Sequence, residues 1–274
     1  MMNKRTGLAF YIFLALFIFC VMFPFYYVFL TSIRKPDEIF STFSLITTKP
    51  TIESYINAFT VRPFARYLVN SFIVSFGATA LSMVVAAFTA YAVARLKFRG
   101  KSVVLGLVLA VSMFPQIAII SPVYLFMKSM GLRNTYFGLI IPYITFALPL
   151  GIWYLATFFK EIPFSLEEAA KIDGASPLQT FFLVIAPLAA PGVFTTAILV
   201  FINAWNEYLF ALTINTDDNM RTVTVGITMF NSQYTIPWGD IAAATVIVTV
   251  PLIIMVLIFQ KRIVSGLTAG AVKG

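Results

Sequence analysis

Six stretches of this chain are apolar, almost free of charge and long enough to cross a lipid bilayer: residues 8–32, 68–94, 102–127, 135–159, 180–214 and 240–260. A spanning helix needs roughly 20 apolar residues. Several of the runs exceed that, which implies tilt or extension beyond the bilayer. In hydrocarbon every backbone N–H and C=O must find its partner inside the protein, so only helices and closed β-barrels cross. Barrel strands alternate with a period of two, and these runs are continuous. The expectation is therefore an all-α membrane protein with six transmembrane helices, in a single domain over residues 1–274. The charged fraction of 11% agrees, since soluble domains carry about 25%.

The basic N-terminus, Met1 to Thr6, leads into an apolar run that reaches about Leu30 with no small-residue cleavage step near its end. It reads as a retained first span rather than a removable signal. Orientation follows from the turns. Arg95, Lys97, Arg99 and Lys101 crowd one tight turn that holds no acid, which marks it as cytoplasmic. Alternation then places both termini in the cytoplasm, with eleven cations inside and eight outside. The net charge of +8 thus reflects membrane topology, and nucleic acid is not an expected partner. Histidine is absent and Cys20 is the single cysteine. That removes the commonest general base, any disulfide within the chain and any thiol metal site. No catalytic residue, metal site or bound cofactor is expected.

Between the fourth and fifth runs, residues 161–177 are too polar to span. Ser165 with Glu168 three residues on has the form of a capping box. Gly174 can end that helix in a left-handed conformation, and Ser176-Pro177 can begin another. The reading is a helix–turn–helix on the cytoplasmic surface. It serves either as an ordinary surface helix or as a docking element, because small alanines admit close approach and a carboxylate can accept an arginine.

In this segment Glu168-Ala169-Ala170, followed three residues later by Gly174, resembles the EAA loop of binding-protein-dependent ABC importer permeases. Val184 and Ala186 stand where that pattern has isoleucine and leucine, and Pro187 matches it. Three more stretches are similar to the smaller membrane subunit of maltose- and trehalose-type importers: Ala204 to Leu209, Tyr234 to Ala244 and Gly266 to Gly274. The resemblance implies a type I importer transmembrane domain that passes a small sugar by alternating access. It implies a coupling helix, with Glu167, Glu168, Ala169, Ala170, Asp173 and Gly174 facing a cytoplasmic ATPase dimer; Glu168 pairs with a base there and Gly174 supplies the bend. It implies a tail, residues 263–274, that touches the ATPase through Gly266, Thr268, Gly270 and Lys273. It implies that the outer loop at about 215–239 meets a sugar-binding protein through Gln233, Tyr234 and Trp238. A second permease completes the path in the inner membrane, and ATP and magnesium are used by the ATPase.

Glu207 lies at membrane depth, where ionisable groups face a cavity or a partner. Either it lines a sugar cavity with Asn203 and Asn206, or one of those asparagines satisfies it. Asn70, Ser71, Ser112 and Gln116 read as helix–helix hydrogen-bonding groups, and the prolines in the spans as ordinary membrane-helix residues. Gly100-Lys101-Ser102 ends like a phosphate loop, but position 95 is arginine where that loop needs glycine, so energy must come from another subunit. A secondary transporter would carry repeated halves and midplane charges; Glu207 alone qualifies. A membrane-embedded enzyme would need a nucleophile–base pair or a metal cluster.

Overall fold

The computed structural model describes residues 4–41, 44–231 and 236–269; for residues 4–6, 9, 41 and 261–269 only the backbone is described. The described residues fold as helices and connecting turns. Two compact units are distinguishable, Met1–Ala65 with Gly226–Pro251, and Arg66–Val225 with Leu252–Gly274.

Four helices cross-match the apolar runs directly: α1 (Lys4–Ser32), α4 (Phe64–Arg95), α7 (Tyr136–Glu161) and α14 (Trp238–Ala269). The last continues past the expected span end at 260, so most of the expected tail is helix. The other two runs do not form single straight helices. The third breaks into α5 (Lys101–Met113) and α6 (Gln116–Ser129), bent by 98°. The break sits at Phe114 and Pro115, both in extended backbone. A residue before proline is pushed out of the helical region by the proline ring. Pro115 is thus a hinge in the chain path, where sequence reading treated it as incidental.

The fifth run divides further. Helix α9 (Pro177–Thr180) passes into a π-helical stretch, Phe181–Ile185, and then α10 (Ala186–Leu188). A 77° bend separates these from α11 (Ala190–Trp205), and α12 (Leu209–Ile214) follows after another break. Pro187 and Pro191 have no N–H to give to the carbonyls four residues earlier, which opens the ladder here. Counting each bent pair as one span gives up to six crossings.

In the second unit the core joins Met83, Ala86, Ala90 and Tyr91 of α4, Ile152, Leu155 and Phe159 of α7, Phe181 and Ile185, and Val200 of α11. Alanines on α4 let the α7 side chains in close, as small residues do where lipid supplies no hydrophobic drive. By contrast, no residue of α5 is buried. That face is suited to lipid or another subunit.

In the first unit, α2 (Pro36–Ser41) and α3 (Glu53–Thr60) occupy the segment between the first two apolar runs. Arg34 is buried there and donates to the carbonyls of Ser44 and Ile46. The expected loop at 215–239 likewise holds α13 (Val223–Thr228).

Candidate functional site: the elbow between the fourth and fifth runs

Helix α7 ends at Glu161, and Ile162 and Pro163 run extended. Helix α8 (Phe164–Ile172) then begins one residue before the expected cap. Pro163 occupies the cap position and no side chain bonds the helix start; the Pro163 carbonyl accepts from the Leu166 N–H at 3.3 Å. Ser165 is inside the helix and forms no capping box with Glu168. Proline's fixed φ and the anchoring of Ile162 by Arg95, which donates to the Ile162 carbonyl, settle where the helix starts.

The end of α8 follows the expectation closely. Gly174 has φ +80°. Its N–H donates to Lys171 O at 3.0 Å, and Ala175 N–H donates to Ala170 O at 2.9 Å, the paired bonds of a Schellman motif. The capping box lies two residues on. Ser176 Oγ accepts from Gln179 N–H at 3.3 Å, Gln179 Oε1 accepts from Ser176 N–H at 2.8 Å, and Pro177 takes the first helical position of α9. Two caps with one left-handed glycine between them make a stiff elbow.

The two faces of α8 differ. Glu167, 6% exposed, and Ala170 turn inward. Glu167 lies 3.1 Å from Arg95 Nε, so its carboxylate is engaged inside the chain and not exposed on the outer face of α8. Glu168, Ala169, Lys171 and Asp173 are exposed. Ile172 is 86% exposed, with Leu178 beside the turn at 63%. Sequence reading missed this apolar tip; the signal was an isoleucine between Lys171 and Asp173 in an otherwise polar helix end. Glu168, Ala169 and Asp173 share the exposed side of α8 with Ile172.

A second feature of the same unit is an open cavity of about 510 Å³ lined by Gln116, Tyr154, Asn203, Asn206, Glu207 and Tyr208 among others. The structure thus brings together the three residues expected to line a cavity. Glu207 lines that cavity, but it is not an asparagine that satisfies it. Its two oxygens accept the N–H groups of Phe210 at 2.8 Å and Ala211 at 3.2 Å, and the buried Tyr143 hydroxyl faces the same carboxylate. It caps α12, where unpaired N–H groups and the helix dipole favour an anion. Asn206 donates back to Ile202 O. Ser112 also bonds within its own helix, to Leu109 O. Asn70 and Ser71 do bridge elements, as expected.

Trp238 opens α14 and, in the first unit, lines a largely apolar cavity of about 430 Å³ with Tyr27, Thr31, Phe40 and Ile241. Gln233, Tyr234, Gly270 and Lys273 lie outside the described residues. Gly266 and Thr268 are in the last turns of α14, with only their backbone described. Among the described residues no group of three His, Cys, Asp or Glu could hold a metal ion.

Residues 82–268, which include the elbow and the cavity, match the family model of the binding-protein-dependent transport system inner membrane component. The chain belongs to that family. As a permease it is 48% identical over 242 residues, 88% of each chain, to the trehalose transport system permease protein SugB of Mycobacterium tuberculosis. It is 44% identical, over 92% of each chain, to the trehalose/maltose transport system permease protein MalG of Thermococcus litoralis. Among solved structures, a chain of a bacterial ABC transporter involved in the import of the acidic polysaccharide alginate superposes with a TM-score of 0.80. That match covers 94% of this permease and 96% of that chain at 23% identity. At that identity the likeness shows the fold, which is that of an ABC importer transmembrane domain.

Proposed function

We propose that this permease carries a small sugar, of disaccharide or short-oligosaccharide size, across the inner membrane by alternating access. A separate ATPase dimer drives it and an extracytoplasmic sugar-binding protein supplies it. A second permease forms the other wall of the path. The chain binds no nucleotide itself; ATP and magnesium act on the ATPase. Both termini are cytoplasmic, which puts the Arg95–Lys101 turn and the α8 elbow on the same side as the ATPase.

One observation carries this reading. The elbow Phe164–Thr180 is held at its turn by the Schellman bonds of Gly174 and Ala175 and by the Ser176 capping box, and it presents Glu168, Ala169 and a bare Ile172 outward. An exposed isoleucine on a rigid polar elbow is a side chain built for a partner's pocket, and Glu168 beside it is placed for a partner's cation. The names of the relatives support a sugar as cargo. So does the cavity, whose wall combines amides, tyrosines and the Glu207 carboxylate with apolar side chains, groups that suit a sugar's hydroxyls and ring faces.

The test is Glu168→Arg in the assembled transporter. Sugar uptake and co-purification of the ATPase are both lost, while membrane insertion is normal. Normal uptake in that variant, or uptake that continues without any ATPase, defeats the reading.

A further inference from the structure

We propose that Arg95 is the joint through which the coupling elbow pulls on α4, and so a positioning residue for coupling transport to ATP hydrolysis. This rests on the docking role assigned to α8 above.

Arg95 ends α4 in a turn with Lys97, Arg99 and Lys101. Its companions Leu96, Lys97, Phe98 and Arg99 are exposed, whereas its own side chain has no solvent exposure. A buried guanidinium is costly unless its charge is paired and its planar fork is used. The guanidinium's close contacts gather on the elbow and on Ile162 just before it. Glu167 lies 3.1 Å away, the Ile162 carbonyl accepts from it, and the Phe164 ring sits 4.3 Å below the guanidinium carbon. Ile162 precedes Pro163, while Phe164 and Glu167 follow it. The guanidinium therefore grips the elbow on both sides of its proline.

The geometry assigns a direction of force. Ala170 packs inward from the same face as Glu167, so packing can transmit a push on α8. Packing transmits a pull less well than a push, because dispersion between apolar surfaces fades over a short separation. An ion pair in a dry site holds on separation. One turn before Arg95, Tyr91 packs edge-on against Phe159 and Phe181, so a displacement of the end of α4 reaches α7 and the π-helical stretch as well. A docking surface that changes the state of a transporter needs contacts that differ between states. The Arg95–Glu167 link is the polar connection between the docking helix and α4.

The experiment uses the complete transporter in proteoliposomes, with Glu167→Gln, Arg95→Lys and the paired apolar replacement Arg95→Met with Glu167→Met. Each is measured for ATPase co-purification, basal hydrolysis, thermal stability and sugar moved per ATP hydrolysed. The paired replacement leaves no stranded charge; it removes the donor to the Ile162 carbonyl, and the stability measurement reads that loss separately. All three variants are expected to retain the ATPase and basal hydrolysis. Transport per ATP falls about tenfold, within the range of coupling between sites. A wild-type ratio in the assembled paired variant overturns the joint. So does a loss of transport that only tracks loss of the ATPase, because the contact then serves docking. A failure of the Glu168→Arg test removes the docking reading instead, so the two failures are distinguishable.

Discussion

Tyr136 donates its hydroxyl hydrogen to the side-chain oxygen of Asn70 across 3.0 Å. The Asn70 amide in turn donates to the carbonyls of Asn219 at 2.8 Å and Arg221 at 2.9 Å. Three of the four bonds an asparagine side chain can make are thereby accounted for, in a residue with no solvent exposure. One amide ties α4 and the start of α7 to the segment before α13. Asn70→Leu strands two carbonyls and a hydroxyl. The three bonds are part-buried, so each lost partner costs near the low end of about 1–3 kcal/mol, and the variant should lose about 2 kcal/mol. The check is thermal unfolding in detergent, with limited proteolysis of residues 215–222. Ser71→Ala removes the single acceptor for Val223 N–H at 2.9 Å and should cost about half as much.

Glu207 and its neighbours should separate cleanly in kinetics. Both Glu207 oxygens are engaged by α12, so Glu207→Gln, which keeps one acceptor, should destabilise by about 1 kcal/mol as other cap losses do. The KM for sugar uptake should hardly change. Asn203 is exposed in the cavity wall, and Asn203→Leu should raise KM severalfold with stability unchanged. Uptake kinetics and melting curves on the same preparations decide it. A reversed pattern would make Glu207 a ligand group.

Two glycines offer a paired control on packing. A Cβ at Gly138 would fall on the backbone oxygen of Leu132, whereas one at Gly106 on α5 meets nothing within 4 Å. Backbone cannot rotate away as a side chain can, so Gly138→Ala should cost about 1–3 kcal/mol. Gly106→Ala should be neutral or slightly stabilising through its helix propensity. Thermostability of the two variants side by side is the measurement.

The straight spans were readable because hydropathy and length alone specify them: α1, α4, α7 and α14 coincide with the apolar runs. The bent pairs were not, because Phe114-Pro115 and Leu188-Ala189-Ala190 are as apolar as the helices they separate, so hydropathy does not fall where the chain turns. The elbow's end was readable because Gly174 and Ser176-Pro177 act through local backbone chemistry. Its inward face was not. Arg95 and Glu167 are 72 positions apart in sequence, and charge patterning alone places both in solvent. The asparagine partners that the sequence left open for Glu207 are likewise not the ones it takes: backbone N–H groups three and four residues on satisfy it.

Gly174 gives a last prediction, because its requirement is conformational alone. It has φ +80° with nothing within 4 Å of the position a Cβ would take, so a substitution meets no clash and feels only the left-handed backbone. Asparagine tolerates that region well, whereas a β-branched side chain is a genuine outlier there. Gly174→Asn should therefore retain most uptake. Gly174→Val should lose it, because the Schellman bonds from Gly174 and Ala175 open and α9 no longer starts where Ile172 needs its support. Uptake assays with ATPase co-purification test this. Equal loss in both variants would mean that the glycine is needed for a partner's close approach rather than for the turn.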